Sequence, residues 1–211
     1  MPFLDLSHTV MHNLPVFPGE KPPSLLPDDL PEDTGYITYR LETNFHTGTH
    51  IDAPFHVLSG SKTIDAYPVD AFFGKAMVLD VRGEKLIRMR GEWNDLFCSY
   101  PVILFCTGHS SAWKAERYYL DYPVFQENIA IALKESQVRI VGFDTPSPDV
   151  APYPFHSIFL HGDRFMVENL TNLELLLGKQ DIEFMAFPLK LQAEASLVRA
   201  VAKYSLVEQF S

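Results

Sequence analysis

The sequence is poor in cysteine and in long hydrophobic runs, and each shortage excludes a class of protein. Two cysteines among 211 residues cannot build a disulfide scaffold, so we predict that Cys98 and Cys106 are buried thiols in a reducing compartment. No apolar run approaches the roughly 18 residues of a membrane-spanning helix. The first residues, MPFLDL, lack the basic start and apolar middle of a secretion signal. These features predict a soluble, cytoplasmic protein.

Positive charge is also scarce. The chain has 17 Lys and Arg residues against 27 Asp and Glu residues, which gives a formal net charge of -10. A nucleic-acid binder needs cations to displace counterions from phosphates, and an anionic membrane surface attracts basic segments. The charge balance therefore argues against both partners, and the partner that we expect instead is a small-molecule substrate.

The hydrophobic content of 46% and the length of 211 residues predict one folded domain spanning residues 1–211. Short apolar runs bounded by turn residues predict buried strands. The predicted strands are 37–43, 76–81, 102–106, 138–144, 184–189 and 198–202. The predicted helices are fewer. They are 110–120, 128–137 and a third segment that begins with a capping box at Thr171 and ends at Gly178. We therefore predict an α/β fold that is rich in strands and has few helices.

Residues 13–32 contain six prolines and form an exception to this pattern. Each proline fixes φ and removes a backbone donor, which is typical of a loop or an edge segment. Two interpretations are open for this segment. It is either a lid or arm that packs on a neighbouring subunit, or an ordered surface loop.

Eight histidines stand out, because three of them fall within residues 46–56, HTGTHIDAPFH. Imidazole and carboxylate groups together suit Zn²⁺ and other first-row divalent ions. His50 and Asp52 are two residues apart, so in an extended chain their side chains point the same way, with Cα atoms roughly 7 Å apart. The spacing therefore predicts that both bind one ion.

His46 reaches the same ion only if the chain turns before His50, and Gly48 allows such a turn. A helix would place His46 and His50 on one face, but Gly48 and two β-branched threonines weaken that alternative. Pro54 then redirects the chain, so that His56 returns toward the ion without becoming a ligand. This geometry predicts a metal site with one additional histidine beside it.

A second group of metal-binding residue types follows later in the chain, at His156, His161, Asp163 and Glu168. No local geometry joins these residues, and alone they are typical of a polar loop that precedes a strand. Together with the first group they could complete the ligands of one or two ions. If two ions bind, Asp52 is a natural bridge because a carboxylate has two acceptor oxygens.

Other histidines and the two tryptophans carry weaker signals. We predict that His8 and His12 lie at the surface. His109 could reach a site from the end of a strand, although a loop position is the commoner case. Trp93 and Trp113 are interpreted as packing residues.

The motif at residues 46–56 resembles the signature of the cyclase-like metal-dependent hydrolases, which include bacterial kynurenine formamidases and isatin hydrolases. The resemblance extends over nearly the whole chain. Further matching segments are DLS at 5–7, GFDTPS at 142–147, VENLTNL at 167–173 and PLKL at 188–191. The resemblance implies a β-rich swivelling β/β/α fold that assembles as a homodimer or homotetramer.

The resemblance also implies the metal ligands. His46, His50 and Asp52 would hold a first ion, zinc or manganese. In relatives with two ions, Asp52 is shared with a second site at the positions of His156 and Glu168. One or two divalent ions are therefore the expected cofactors.

His56 is the acid/base residue that the resemblance implies. The expected reaction is hydrolysis of a small amide, lactam or related acyl bond, in which the ion makes water reactive near neutral pH. His56 would take a proton from the water and deliver it to the leaving group. The enzyme class is thus a hydrolase of carbon–nitrogen bonds other than peptide bonds.

Two departures from the family pattern leave the substrate open. The segment QAEASLVR at 192–199 lacks the glycine and proline of many members, and His109 stands where many have tryptophan. Two alternatives to hydrolysis also stay open. One is a lyase or cyclase-type reaction on a carbonyl substrate, and the other is a metal-binding or ligand-binding protein without turnover.

Overall fold

A computed structural model describes residues 1–28 and 35–205, in which twelve strands and three α-helices are found. The strands are β1 (Phe3–Asp5), β2 (Ser24–Pro27), β3 (Tyr39–Glu42), β4 (His50–Asp52), β5 (Phe73–Asp80), β6 (Leu86–Ile87), β7 (Val102–Cys106), β8 (Val124–Phe125), β9 (Ile140–Phe143), β10 (Phe165–Glu168), β11 (Gln180–Pro188) and β12 (Ala195–Ser205). The helices are α1 (Trp93–Ser99), α2 (Glu127–Lys134) and α3 (Pro154–Phe159). Short 3₁₀ turns complete the list at Pro54–His56, Ile64–Ala66, Val69–Phe72, His109–Ala112, Glu116–Tyr119 and Leu173–Leu176.

Seven strands close into a barrel in the order β12, β11, β5, β7, β9, β10 and β4, because β4 also pairs with β12. The pairs β5–β7, β7–β9 and β9–β10 are parallel, and the other pairs around the ring are antiparallel. β1 adds to β12 outside the ring. The β-rich α/β fold with few helices is thereby confirmed.

The barrel wall separates two hydrophobic cores, and β7 shows how one strand serves both. Val102, Leu104 and Cys106 point into the barrel, whereas Ile103 and Phe105 point outward toward the helices. All five residues are buried, since successive side chains of a strand leave on opposite faces. This two-sided burial explains why the strand is a continuous apolar run in the sequence.

The interior of the barrel is packed tightly enough to require a glycine at position 142. A Cβ atom built there would lie 2.6 Å from Leu104 Cδ2 and 2.7 Å from Leu170 Cδ1. Both atoms belong to fully buried side chains, so little can move aside. Gly142 therefore lets β9 approach its neighbours, just before the segment that leads to the second group of polar residues.

The predicted strands all overlap strands of the structure, and 102–106 coincides with β7. The helices were predicted less well. The segment 110–120 forms two 3₁₀ turns instead of an α-helix, and the capping-box segment after Thr171 forms only the turn Leu173–Leu176. There Asn172, with a positive φ of 60°, precedes the first residue of the turn and gives no side-chain cap. The helices α1 and α3 were not predicted.

The prediction for the cysteines was half right. Cys106 is buried in the barrel, but Cys98 is exposed at the surface of α1. The Pro-rich segment 13–32 contains β2, which pairs with β3 in a separate two-stranded ribbon; its residues 29–32 lie outside the described part of the chain. No α-helix within residues 1–28 and 35–205 has the length and apolar character needed to cross a bilayer.

Candidate metal centre

The turn that the motif requires is present between His46 and β4. Gly48 has a φ of 65°, a conformation that residues with a Cβ adopt rarely, and the turn carries the chain directly into β4. Ile51 of β4 packs inside the barrel, so its neighbours His50 and Asp52 both point to the outer face. Both are buried there, with exposures of 1% and 0%.

The pairing of β4 with β10 brings the two sequence-distant groups together. Glu168 lies directly opposite His50 in this antiparallel pair. The preceding residue, Val167, lies opposite Ile51, and both side chains pack inside the barrel. The Nε2 atom of His50 consequently lies 3.4 Å from Glu168 Oε2 and 3.6 Å from Asp52 Oδ1. Sheet register therefore supplies the contact between residues 118 positions apart.

His156 approaches from α3, on the other side of Glu168. Its Nε2 atom lies 3.2 Å from Glu168 Oε1, and its Nδ1 atom lies 2.8 Å from Asp149 Oδ1. Asp149 also accepts hydrogen bonds from the backbone N–H groups of Phe155 and His156, which fixes the start of α3. Asp149 thereby orients the imidazole so that Nε2 faces the centre.

His46 and His56 complete the cluster from the side of the motif. His46 Nδ1 lies 3.1 Å from Asp52 Oδ1, and its Nε2 atom lies 3.5 Å from Glu194 Oε1. The 3₁₀ turn that begins at Pro54 folds His56 back, so that its ring centroid lies 4.4 Å from that of His46. The predicted return of the chain at Pro54 is therefore present.

The raised pKa values of His46 and His156 show that the centre attracts positive charge. Burial lowers the pKa of His46, but the carboxylates of Asp52, Glu194 and Glu168 together outweigh burial and raise that pKa to about 11. Burial likewise opposes the effect of Asp149 and Glu168 on His156, whose pKa rises to about 10. The nearby carboxylates therefore favour the protonated imidazoles of His46 and His156. A divalent cation would bind the same ring nitrogens in place of the protons.

The hydrogen bonding of Asp52 fits a metal ligand better than a structural carboxylate. Asp144 is equally buried, and it accepts hydrogen bonds from Thr107 N, Thr107 Oγ1 and Gly108 N at 2.6–2.9 Å. Within residues 1–28 and 35–205, neither oxygen of Asp52 accepts a hydrogen bond, although His46 Nδ1 lies 3.1 Å from Oδ1. A buried carboxylate left in this state is costly unless a cation binds it.

The ligand atoms also have the spacing that one or two ions require. One set is His46, Asp52 and His56, and another is His50, Asp52 and Glu168; within each set the ligand atoms lie within 4.8 Å of one another. Asp52 belongs to both sets, in agreement with a bridging position. His50 Nε2 and Glu168 Oε1 are further buried atoms without a hydrogen-bond partner among the described residues.

The clustered histidines and Glu168 line a cavity of about 480 Å³, which is large enough for a small aromatic molecule. Aromatic and proline side chains form part of the remaining lining. They are Phe17, Tyr119, Pro146, Pro152 and Tyr153.

Comparison with known proteins places this geometry in a family. Residues 4–150 match the family model of the cyclases. The chain belongs to the Cyclase family. It is similar to kynurenine formamidases of Bacillus cereus, at 31% identity over 208 residues, and of Bacillus mycoides, at 30% over 207 residues; each match covers 95% of this chain and 97% of the relative.

Solved structures confirm the fold of this Cyclase family member. Isatin hydrolase A from Ralstonia solanacearum superposes with a TM-score of 0.81 at 22% identity, over 95% of this chain and 91% of that one. Isatin hydrolase A from Labrenzia aggregata, bound to benzyl benzoate, gives 0.80 at 22% identity, over 95% and 93%. The solved structures thus confirm the fold, and the family model together with the kynurenine formamidases confirms the predicted family.

The structure brings together all six residues that were predicted for the site, but it leaves their sequence neighbours outside. His161 and Asp163 are exposed, and Asp163 forms a surface ion pair with Lys62. His109 stacks on Tyr118 and does not reach the cavity.

His8, predicted at the surface, instead stacks on Trp113 with ring centroids 3.8 Å apart. Burial, reinforced by the charge of Lys114, lowers the pKa of His8 to about 4. His12 is exposed as predicted, and Trp93 packs in the outer core as predicted.

Three residues near the centre of this Cyclase family protein were not predicted: Asp149, Asn169 and Glu194. Asn169 donates from Nδ2 to Gly48 O and accepts from Tyr118 Oη, so it ties the motif turn to the end of β10. Glu194 reaches His46 because β12 pairs with β4. Of these three residues, only Asp149 could have been suspected from the sequence, because its carboxylate lies seven residues before the candidate ligand His156.

Replacing Asp149 by asparagine is expected to lower metal affinity by about 10- to 100-fold, because the support of His156 is weakened. Competition titration with a chromogenic chelator measures this affinity. Asp121→Asn is the matched control, since Asp121 is an exposed carboxylate paired with Lys85. Equal affinities for the wild-type protein and Asp149→Asn would contradict the role of Asp149.

Proposed function

We propose that this protein is a metal-dependent hydrolase of small amides, most similar in activity to an arylformamidase and acting on a carbon–nitrogen bond other than a peptide bond. The observation that carries this proposal is the fully buried carboxylate of Asp52, which has no hydrogen-bond partner among the described residues and is surrounded by imidazoles that line a cavity. The kynurenine formamidases at about 30% identity over nearly the full length support the same reaction class.

The proposed metal ligands are His46, His50, Asp52, His156 and Glu168, which hold one or two ions of zinc or manganese. Imidazole and carboxylate donors suit either metal. When bound, a divalent cation polarises the substrate carbonyl and lowers the pKa of water toward neutrality. The chain's own contribution is a donor set in which Glu168 lies between His50 and His156 and needs no rearrangement to face both.

His56 is proposed as the group that moves protons. Its side chain is the most accessible of the clustered histidines, and it lines the cavity where a substrate must lie. Burial lowers the pKa of His56, as do the nearby imidazoles of His46 and His156, and only the carboxylates oppose this. A neutral His56 at pH 7 can accept a proton from the attacking water and return it to the leaving nitrogen.

The proposed activity is tested with formanilide, other N-formyl aromatic amines and cyclic imides. We expect hydrolysis that a chelator abolishes and that added Zn²⁺ or Mn²⁺ restores, because the donor set fixes a cation. Release of formate and of the free amine measures turnover. Absence of turnover across the panel in a protein shown to contain metal would contradict the proposal and favour a non-catalytic binding protein.

We also propose a homodimer or homotetramer. The ribbon of β2 and β3 and the adjoining loop carry large apolar side chains that are exposed in the monomer, which supports contact with another subunit. These side chains are Leu26, Tyr36, Ile37, Tyr39 and Leu41.

A single domain over residues 1–211 is likewise proposed, with residues 29–34 and 206–211 outside the described part. It is supported by β1, which pairs with β12 and so joins the two ends of the described chain. A cytoplasmic location is proposed because both cysteines are free thiols, as is usual in a reducing compartment.

A further inference from the structure

A chain of hydrogen bonds runs from His50 to the loop at residues 107–119, outside the metal centre. Its first member joins the Nδ1 atom of His50 to Gly48 O, at 2.8 Å. A carbonyl oxygen can only accept, so Nδ1 carries the proton and donates it to this bond. The other ring nitrogen, Nε2, faces Asp52 and Glu168. The bond to Gly48 thus selects the tautomer of His50 whose Nε2 lone pair is free to bind a metal.

Asn169 holds the carbonyl group of Gly48 in place. Its Nδ2 atom donates to Gly48 O at 2.9 Å and lies 3.4 Å from His50 Nδ1, so one oxygen accepts from both side chains. The backbone oxygen of Asn169 also accepts from Thr49 Oγ1 at 2.7 Å, which adds a second contact with the motif. This arrangement requires that the amide of Asn169 turns its nitrogen toward Gly48, because its oxygen would repel the carbonyl.

Tyr118 fixes the orientation of that amide from the opposite side. Its hydroxyl donates to Asn169 Oδ1 at 2.9 Å, and both side chains are buried. Burial raises the pKa of Tyr118 well above its ordinary value, so the hydroxyl keeps its proton and remains a donor. With Oδ1 engaged by Tyr118, the Nδ2 atom is the end of the amide that faces Gly48.

His109 holds Tyr118 in turn. The two rings stack with centroids 4.9 Å apart, and His109 Nε2 donates to the backbone oxygen of Tyr118 at 2.9 Å. His109 is itself anchored, because its backbone N–H donates to Thr107 Oγ1 and Thr107 Oγ1 donates to the buried carboxylate of Asp144. Burial lowers the pKa of His109, so at pH 7 the ring is neutral and uses its single N–H on Tyr118.

We propose that His109 and Tyr118 are positioning residues for the metal ligand His50. They act through Asn169, whose amide they orient against the carbonyl group of Gly48, and we call these three residues, His109, Tyr118 and Asn169, the relay. This inference rests on the proposed function, since it takes His50 as a metal ligand. Support of a ligating histidine changes metal affinity by about 10- to 100-fold, and we expect the lower end for residues that act through another.

Tyr118→Phe tests the relay, because it removes the hydroxyl and keeps the ring. We expect its affinity for Zn²⁺, measured by competition with a chromogenic chelator, to be about 10-fold lower than that of the wild-type protein. Tyr67→Phe is the matched control. Tyr67 is also a buried tyrosine, but it packs on Phe165 in the barrel core. We expect Tyr67→Phe to bind Zn²⁺ with the wild-type affinity.

A second measurement distinguishes positioning from a general loss of stability. It follows the Nδ1–H proton of His50 by NMR in the Zn²⁺-loaded protein labelled with ¹⁵N at histidine. This proton should exchange slowly with water in the wild-type protein, because it is bonded to the buried Gly48. We expect faster exchange in Tyr118→Phe and the wild-type rate in Tyr67→Phe.

Two substitutions of His109 test the outer member of the relay independently. His109→Ala removes the stacked ring and the N–H donor, so its Zn²⁺ affinity should fall as in Tyr118→Phe. His109→Trp supplies a ring and an N–H donor again, and a separate cavity of about 220 Å³ beside His109 gives the larger ring room. We expect His109→Trp to bind Zn²⁺ with the wild-type affinity. Should Tyr118→Phe not fold, these two variants decide.

Wild-type Zn²⁺ affinity in Tyr118→Phe or in His109→Ala would overturn the relay and leave the proposed function intact. A lower affinity with unchanged exchange of the His50 proton would overturn it as well, because the loss would not pass through His50. The expected losses in a protein that binds Zn²⁺ but cleaves no amide would support the relay and contradict the hydrolase. A wild-type protein that binds no metal would contradict both proposals.

Discussion

Asp52→Asn is expected to lose metal and activity together. Asparagine has the same shape, but it removes the negative charge that lies in both candidate ligand sets. Loss of the cation removes several kcal/mol of transition-state stabilisation, so kcat/KM for formanilide should fall by roughly 10³-fold or more. Metal content by plasma emission spectrometry and formate release measure the two effects on the same sample.

Asp163→Asn is the matched control for this substitution. Asp163 belongs to the polar group that the sequence suggested, yet it is exposed and forms an ion pair with Lys62 at 3.5 Å. We therefore expect wild-type metal content and activity in Asp163→Asn. Hydrolysis at the wild-type rate in Asp52→Asn would contradict the assignment of Asp52.

His56→Ala is expected to retain metal and lose turnover. Its imidazole is the exposed member of the cluster, and the buried donors of His50, Asp52 and Glu168 remain in place without it. Removal of a general acid/base lowers kcat by about 10²–10⁴-fold. Single-turnover kinetics, with metal content measured in parallel, distinguish this effect from loss of the cofactor.

His161→Ala serves as the control, because His161 is exposed and its imidazole bonds to Ser157 O. The alternative outcome for His56→Ala is informative as well. His56 also lies within 4.8 Å of the ligand atoms of His46 and Asp52, so it has the reach of a ligand. An empty site in His56→Ala would show that His56 holds the metal and would contradict its assignment as acid/base.

The local part of the site was predictable from the sequence because its geometry is local. The two-residue spacing of His50 and Asp52 determines their common face in any strand. Gly48 permits the turn that returns His46, and Pro54 begins the turn that returns His56. The steric rules for short segments are thus sufficient to predict the placement of the four motif residues among the six site residues.

The remote part was less predictable, since no spacing joins Glu168 or His156 to the motif. Their residue types made them candidates, and only the family resemblance implied that they bind the metal. Glu168 reaches His50 only through the register of β10 against β4. That register depends on closure of the whole barrel, which local patterns do not encode. Asp149 and Glu194 were missed for the same reason, because their roles exist only after α3 and β12 have packed against the centre.

The helix errors have a different cause. The segment after Thr171 has the capping-box residues, but Leu173 and Leu176 are both fully buried in the barrel core. One short turn carries these side chains into the core, and Gly178 with a positive φ and then β11 follow it, so the packed segment contains no longer helix. Tertiary packing therefore overrides a local helix signal of a few tenths to about one kcal/mol.

Anomalous diffraction from a crystal grown with Zn²⁺ or Mn²⁺ tests the central claim most directly. We predict an anomalous peak that marks a metal ion bound to the carboxylate of Asp52. Nitrogen atoms of His46 and His50 should lie about 2.0–2.2 Å from this ion. Data on both sides of the metal's absorption edge identify the element and the number of ions. A metal-soaked crystal without such a peak, in which Asp52 is hydrogen-bonded to ordinary protein groups, would contradict the account.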